Sequence, residues 1–181
     1  MIFTVFVHEL IKRNAQSAPD SMAVIDHEKR LTYAELQQAV TNCRDRLYAA
    51  GVRRGDRVGI FSRNSAAFIY SYMAICSLGA IAVPINFQLS SREIAYIIKD
   101  AGIQTLLTYE PLNLVDAMAA LRCGLKVTQY DIRTLGEKKN GIPAAPALGA
   151  DFDDQQPACI IYTSGTTGNP KGAVLSHHNL T

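Results

Sequence analysis

No two of the four cysteines lie near one another in this 181-residue chain: Cys43, Cys76, Cys123 and Cys159 never form a CxxC pair. That argues against a zinc ribbon or a disulfide framework and favours free thiols in a reducing, cytoplasmic setting. The histidines, His8, His27, His177 and His178, also lack metal-ligand spacing. Neither charge sign is in excess, since the net charge is +2 with 19% charged residues. Pairs such as Arg53-Arg54 and Lys138-Lys139 read as solvated faces. There is no basic stripe interleaved with aromatics, so nucleic acid is not an expected partner. The N-terminus, MIFTVFVHELIKR, has no basic residue ahead of its apolar run and no small-residue cleavage site. It does not read as a signal peptide.

Long charge-free stretches are also scarce. One of them, residues 65–91, matches in length the roughly 20 apolar residues that a spanning helix requires. Gly79, Pro84, Asn86 and Gln88, with Ser71, Tyr72 and Ser77 inside it, divide it into a buried helix, a glycine stop and a buried strand. An integral membrane span is therefore not expected. At 48% hydrophobic residues the chain has material for one good-sized core.

The local patterns alternate between strand and helix. Residues 4–17 read as an amphipathic helix with Val7, Leu10 and Ile11 on one side, ended by Pro19. Residues 23–26 and 30–32 read as a hairpin around His27-Glu28-Lys29. Thr32 and Glu35 form a capping box. Leu36, Val40, Cys43 and Leu47 follow at helical spacing, and Gly51 closes the element. Then come a strand at 57–61, a helix at 65–78 stopped by Gly79, and a strand at 80–85. Ser90 and Glu93 make a second capping box ahead of Ile94, Ile97 and Ile98. A strand at 104–108, a helix at 112–121 and a strand at 125–129 complete the series. This grammar predicts an α/β fold, a largely parallel sheet with flanking helices and right-handed crossovers. Residues 136–156 show no periodicity, hold Pro143 and Pro146, and read as a long loop or interface crossing.

That loop leads to the stretch ACIIYTSGTTGNPKGAVLSHH, residues 158–178. Two apolar runs flank residues 163–172, in which three glycines, Gly165, Gly168 and Gly172, let backbone N–H groups approach an anion. The hydroxyls of Thr163, Ser164, Thr166 and Thr167 add donors, Lys171 adds a positive charge, and Pro170 stiffens the approach to it. An ordinary turn rarely gathers so many donors beside one lysine. A Walker-type loop fails on spacing, because Pro170 stands where that motif requires Gly and Gly172 where Ser or Thr would hold Mg²⁺. Ser176 reads as the start of a helix, with surface or packing roles for His177 and His178.

TSGTTGNPKG resembles the signature phosphate loop of the adenylate-forming enzymes, which include acyl-CoA synthetases, peptide-synthetase adenylation domains and firefly-type luciferases. LTYAEL, GVRRGDRVGIFSRNS, LGAIAVPINF and SSREIAYIIKDAG, in that order, extend the resemblance over nearly the whole chain. It implies that residues 1–181 are the N-terminal part of a large AMP-binding domain. Within it, 1–135 would be α/β repeats, 136–157 a loop, and 158–175 a strand, phosphate loop and strand. It also implies that Thr163, Ser164, Gly165, Thr166, Thr167, Gly168 and Lys171 hold the β- and γ-phosphates of ATP. Ile85-Asn86-Phe87 after Pro84, where peptide synthetases usually carry Asp-Pro, favours the acyl-CoA synthetase branch.

The activity implied is ATP-dependent conversion of a carboxylic acid, of fatty-acid type, to an acyl-adenylate and then to a CoA thioester. ATP, Mg²⁺ and CoA are the implied cofactors and co-substrate, with the metal ligands, the ribose aspartate and a mobile-domain lysine expected after Thr181. No catalytic residue is expected within this stretch, which on that ground reads as a fragment inactive alone. Two alternatives stay open: an adenylation domain that loads an amino or aryl acid onto a carrier protein, and a non-catalytic nucleotide-binding module. A homodimer and a peripheral membrane contact are both compatible with the sequence.

Overall fold

The computed structural model describes residues 6–163 and 169–181. In chain order these form α1 (Glu9–Ser17), β1 (Met22–Ile25), β2 (Arg30–Thr32), α2 (Tyr33–Ala49), β3 (Arg57–Phe61) and α3 (Ala66–Ser77). There follow β4 (Ile81–Ile85), α4 (Ser91–Ala101), β5 (Thr105–Thr108), α5 (Val115–Ala120), β6 (Thr128–Asp131) and α6 (Ile132–Leu135). The chain then runs through β7 (Pro157–Thr163), β8 (Lys171–Ser176) and α7 (His177–Leu180). β1 and β2 pair as an antiparallel hairpin, and the other strands form one sheet in the order β6-β5-β3-β4-β7-β8. Every neighbouring pair in that sheet is parallel except β7 with β8.

Local chemistry accounts for most of these boundaries. Both capping boxes form: Thr32 with Glu35 opens α2, and Ser90 with Glu93 opens α4. α4 ends on Gly102 in the left-handed region, where glycine carries no Cβ penalty. Ser65 caps α3, and Asp26 from the β1–β2 turn accepts from the first N–H of the same helix, Ala66 N, at 2.6 Å.

Alternation along the strands divides the core between the two faces of the sheet. Val58, Ile60, Ala82 and Leu107 face α2, α3 and α6, where they meet Leu36, Val40, Leu47, Tyr70 and Ile75. Val83, Ile85 and Leu106 face α4 and meet Ile94, Ile97 and Ile98. The charge-free stretch divides as its residues predict, into the deeply buried α3, a turn at Gly79 and the strand β4. No helix among the described residues is long and apolar enough to cross a membrane. Cys43, Cys76 and Cys159 are buried in this packing, with Cys43 Sγ 3.7 Å from Ser71 Oγ.

Several expectations need correction. α1 begins at Glu9, not in the region of residue 4, and the first five residues lie outside the described ones. α5 is shorter than 112–121 because Leu114, at its N-terminus, offers no side-chain cap. β6 starts three residues and ends two residues later than expected, since its position is set by parallel pairing with Thr105–Thr108. Leu125 and Val127, which suggested the earlier strand, instead pack on the α4-side core. α6 was not foreseen; Asp131 caps it by accepting from Arg133 N. Residues 136–156 are largely irregular, yet Ala145 and Phe152 from this segment are buried.

Candidate functional site

β7 runs parallel to β4 and hence to β3 and β5, so Thr163 leaves the sheet at the end where β3, β4 and β5 have their carboxyl termini. Open α/β sheets bind ligands at that end. β7 and β8 pair from Pro157 opposite Ser176 to Thr163 opposite Lys171. Directly opposed residues of an antiparallel ladder place their Cβ atoms about 5 Å apart on one face. Thr163 and Lys171 therefore project their side chains from the same face at the mouth of the hairpin, and both residues are exposed. Ser164, Gly165, Thr166, Thr167 and Gly168, the remaining residues expected to hold phosphate, lie outside the described residues.

On the other face, Tyr162 stands opposite Gly172. A Cβ on Gly172 would come within 2.9 Å of Ile160 Cγ2 and 3.0 Å of Tyr162 Cζ, so the ring lies close over this glycine. The Tyr162 hydroxyl donates to Asp100 Oδ2 on α4 at 2.5 Å. Burial raises the Tyr162 phenol pKa, and the hydrogen bond to Asp100 and that residue's charge raise it further, so the group stays a neutral donor. The sequence offered one clue to this pair, a ring-bearing residue directly ahead of the loop. Nothing in the local pattern marked Asp100.

Behind the hairpin, α7 is capped by Ser176, which forms a capping box with Asn179. His177 N donates to Gln156 O at 3.1 Å and His178 N to Asp154 O at 2.8 Å, tying the end of β8 to the chain that leads into β7. His177 is fully buried against Phe6, His8 and Phe152. His178 is exposed, with Nδ1 3.2 Å from Asp154 Oδ2. Both histidines thus take the packing and surface positions expected of them.

A crevice of about 600 Å³ opens at the same end of the sheet, between Phe61, Arg63, Phe87, Tyr109 and Leu112. The Arg63 guanidinium sits 5.3 Å from the centroid of the Phe87 ring. These residues lie at or just past the carboxyl ends of β3, β4 and β5, and that position is the signal in the sequence that marks them. Among the described residues no group of three His, Cys, Asp or Glu side chains converges as a metal site would require. The resemblance implies Mg²⁺ with ligands after Thr181, and the described residues offer no set of ligands for it.

The model of the AMP-binding enzyme family matches residues 11–181. The chain is 39% identical over 171 residues to a feruloyl-CoA synthase of Amycolatopsis sp, covering 93% of this chain and 33% of the relative. It is 32% identical over 177 residues to the long-chain-fatty-acid–CoA ligase FadD13 of Mycobacterium tuberculosis, covering 94% of this chain and 35% of that one. Among solved structures it resembles the o-succinylbenzoate CoA synthetase MenE of Bacillus subtilis in complex with the acyl-adenylate intermediate OSB-AMP. That likeness has a TM-score of 0.77 at 28% identity and covers 96% of this chain and 43% of that one. The chain thus spans about a third of the length of the curated relatives it matches. With the family model covering all but the first ten residues and the parallel sheet delivering the loop-bearing hairpin to its carboxyl end, the chain belongs to the AMP-binding enzyme family.

Proposed function

We propose that this chain contributes the ATP phosphate site of an AMP-forming acid–thiol ligase. In the first half-reaction a carboxylate oxygen attacks the α-phosphorus of ATP, the bond to the β-phosphate oxygen breaks, and acyl-AMP and pyrophosphate result. In the second, the CoA thiol attacks the acyl carbon, loses its proton and displaces AMP. The observation that carries this reading is the pairing of Thr163 with Lys171 across the hairpin mouth. A hydroxyl-bearing and an ammonium-bearing side chain thus leave one face of the hairpin mouth, within reach of a departing pyrophosphate whose charge must be held. Thr163, Ser164, Gly165, Thr166, Thr167, Gly168 and Lys171 are the proposed phosphate ligands.

Attack of an anion on a polyanion requires that charge be neutralised and the reactants held in line. The chain's own part is to bind and orient the leaving group. The acid is proposed to be apolar, of fatty-acyl or aryl type, in line with what FadD13 and the feruloyl-CoA synthase are named for.

The test is ATP–pyrophosphate exchange by the full gene product with a panel of long-chain, hydroxycinnamic and amino acids. Exchange is expected with an apolar acid, and Lys171→Ala should lower it at least about tenfold. Unchanged exchange in Lys171→Ala would overturn the phosphate assignment. Exchange with amino acids alone would favour carrier-protein loading over a CoA ligase.

A further inference from the structure

We propose that Tyr162 and Asp100 form a latch holding the loop-bearing end of the β7–β8 hairpin against α4, which makes Tyr162 a positioning residue for phosphate binding. The proposal rests on the phosphate-loop reading above. β4 and β7 pair at Ala82 and Cys159, and beyond that point β7 pairs only with β8 among the described residues. Pro84, two residues further along β4, has no N–H to give to a ladder. The hairpin's far end, with Thr163 and Lys171, is therefore held to the body by side chains rather than by sheet hydrogen bonds.

Tyr162 is built for that task. Its ring lies over Gly172, the one residue type that leaves room for it there, and packs with Ile160 on the α4-side core. Its hydroxyl then reaches α4 and donates to the Asp100 carboxylate at 2.5 Å, the short length of a charge-assisted bond. Asp100 is the penultimate residue of α4, where the helix dipole is negative and a carboxylate is disfavoured. A residue that breaks a local rule is expected where it serves another purpose, and the bond to Tyr162 is such a purpose. Immobilising residue 162 fixes the backbone leading into Thr163 and, through the ladder, the backbone that carries Lys171.

The test is a double-mutant cycle on the full gene product, read as the Kd for ATP alone by equilibrium dialysis and as melting temperature. Tyr162→Phe and Asp100→Ala should each weaken ATP binding about three- to tenfold, the range of one hydrogen bond, and the double variant should be no weaker than the worse single. Asp100→Asn keeps an acceptor and should retain most of the affinity. Relief of the carboxylate at the helix C-terminus offsets part of the lost hydrogen bond, so the melting temperature of Asp100→Ala should fall little, and a loss of ATP affinity with the fold kept would be one of positioning. If Tyr162→Phe does not fold, the comparison of Asp100→Ala with Asp100→Asn decides.

Unchanged ATP binding in Asp100→Ala, or losses that multiply in the double variant, would overturn the latch. Lys171→Ala separates the two levels. If it loses ATP while the latch variants do not, the latch alone fails; if it binds ATP normally, the phosphate reading fails and the latch with it.

Discussion

The rings of His8 and His177 meet edge to face, with 5.8 Å between centroids and 81° between planes, enclosed by Phe6 and Phe152. Among the described residues His8 Nδ1 and both ring nitrogens of His177 are buried without a hydrogen-bond partner. Burial, then the neighbouring His177, Lys12 and Arg44, push the His8 pKa down to about 4, and burial lowers that of His177 against the opposing pull of Asp154. A folded-state pKa below the unfolded one means that the unfolded chain binds protons first. Stability should therefore be full above about pH 6.5 and fall as the pH drops toward 4. For His8 the loss would be on the order of 3 kcal/mol. Thermal melts between pH 7.5 and 4.5 check this, and His8→Phe should flatten the slope while keeping a flat ring in place.

Gly172→Ala should impair ATP use without unfolding the chain. The added methyl would lie 3.0 Å from Tyr162 Cζ and 2.9 Å from Ile160 Cγ2, so the ring must move. Once moved, it should lose its reach to Asp100. The Kd for ATP is expected to rise about as much as in Tyr162→Phe, roughly three- to tenfold. Wild-type binding in Gly172→Ala would show that ring placement does not matter to the loop.

Asp26 joins the small β1–β2 hairpin to the main body. Its carboxylate accepts from Glu28 N at 2.7 Å, Lys29 N at 2.6 Å and Ala66 N at 2.6 Å. Burial alone would raise its pKa, but these three donors together hold it below the ordinary carboxylate value. Asp26→Ala should cost about 1–2 kcal/mol in urea unfolding, through the lost cap on α3 and the loosened turn.

Gly79 adopts φ +66°, and a Cβ there would also lie 2.9 Å from the Phe152 ring and 3.0 Å from Leu148 Cδ2. Gly79→Ala should destabilise by about 1–2 kcal/mol from backbone strain alone. Its effect on Phe152 can be separated with Phe152→Ala, which empties that side of the contact. A double variant less destabilised than the sum of the two singles would confirm that residue 79 and the 136–156 segment are packed together.

Features written into short stretches of sequence were legible. The boxes Thr32–Glu35 and Ser90–Glu93 fix helix starts through side-chain hydrogen bonds made within four residues. β3 was found at its observed limits because its apolar run is bounded by polar and glycine turns. What depends on partners distant in sequence was not legible. β6 takes its place from β5, and Ala145 N is anchored by Asp45 Oδ1 from a segment with no periodicity of its own. At the site, Thr163 and Lys171 could be chosen by residue type, whereas their apposition needs the antiparallel ladder. Asp100 escaped notice for the same reason, since only the fold brings α4 beside Tyr162.

Cys43, Cys76 and Cys159 are each 0 or 1% exposed, and burial raises all three thiol pKa values, that of Cys43 to about 12. Cys123 alone is partly accessible. Because thiolate is the reactive form, a thiol reagent at neutral pH should modify one site quickly and three slowly. The slow phase would clock how often the two layers around α3 part. The chain thus contains its own probes of core opening, spread over α2, α3 and β7, with no label to introduce.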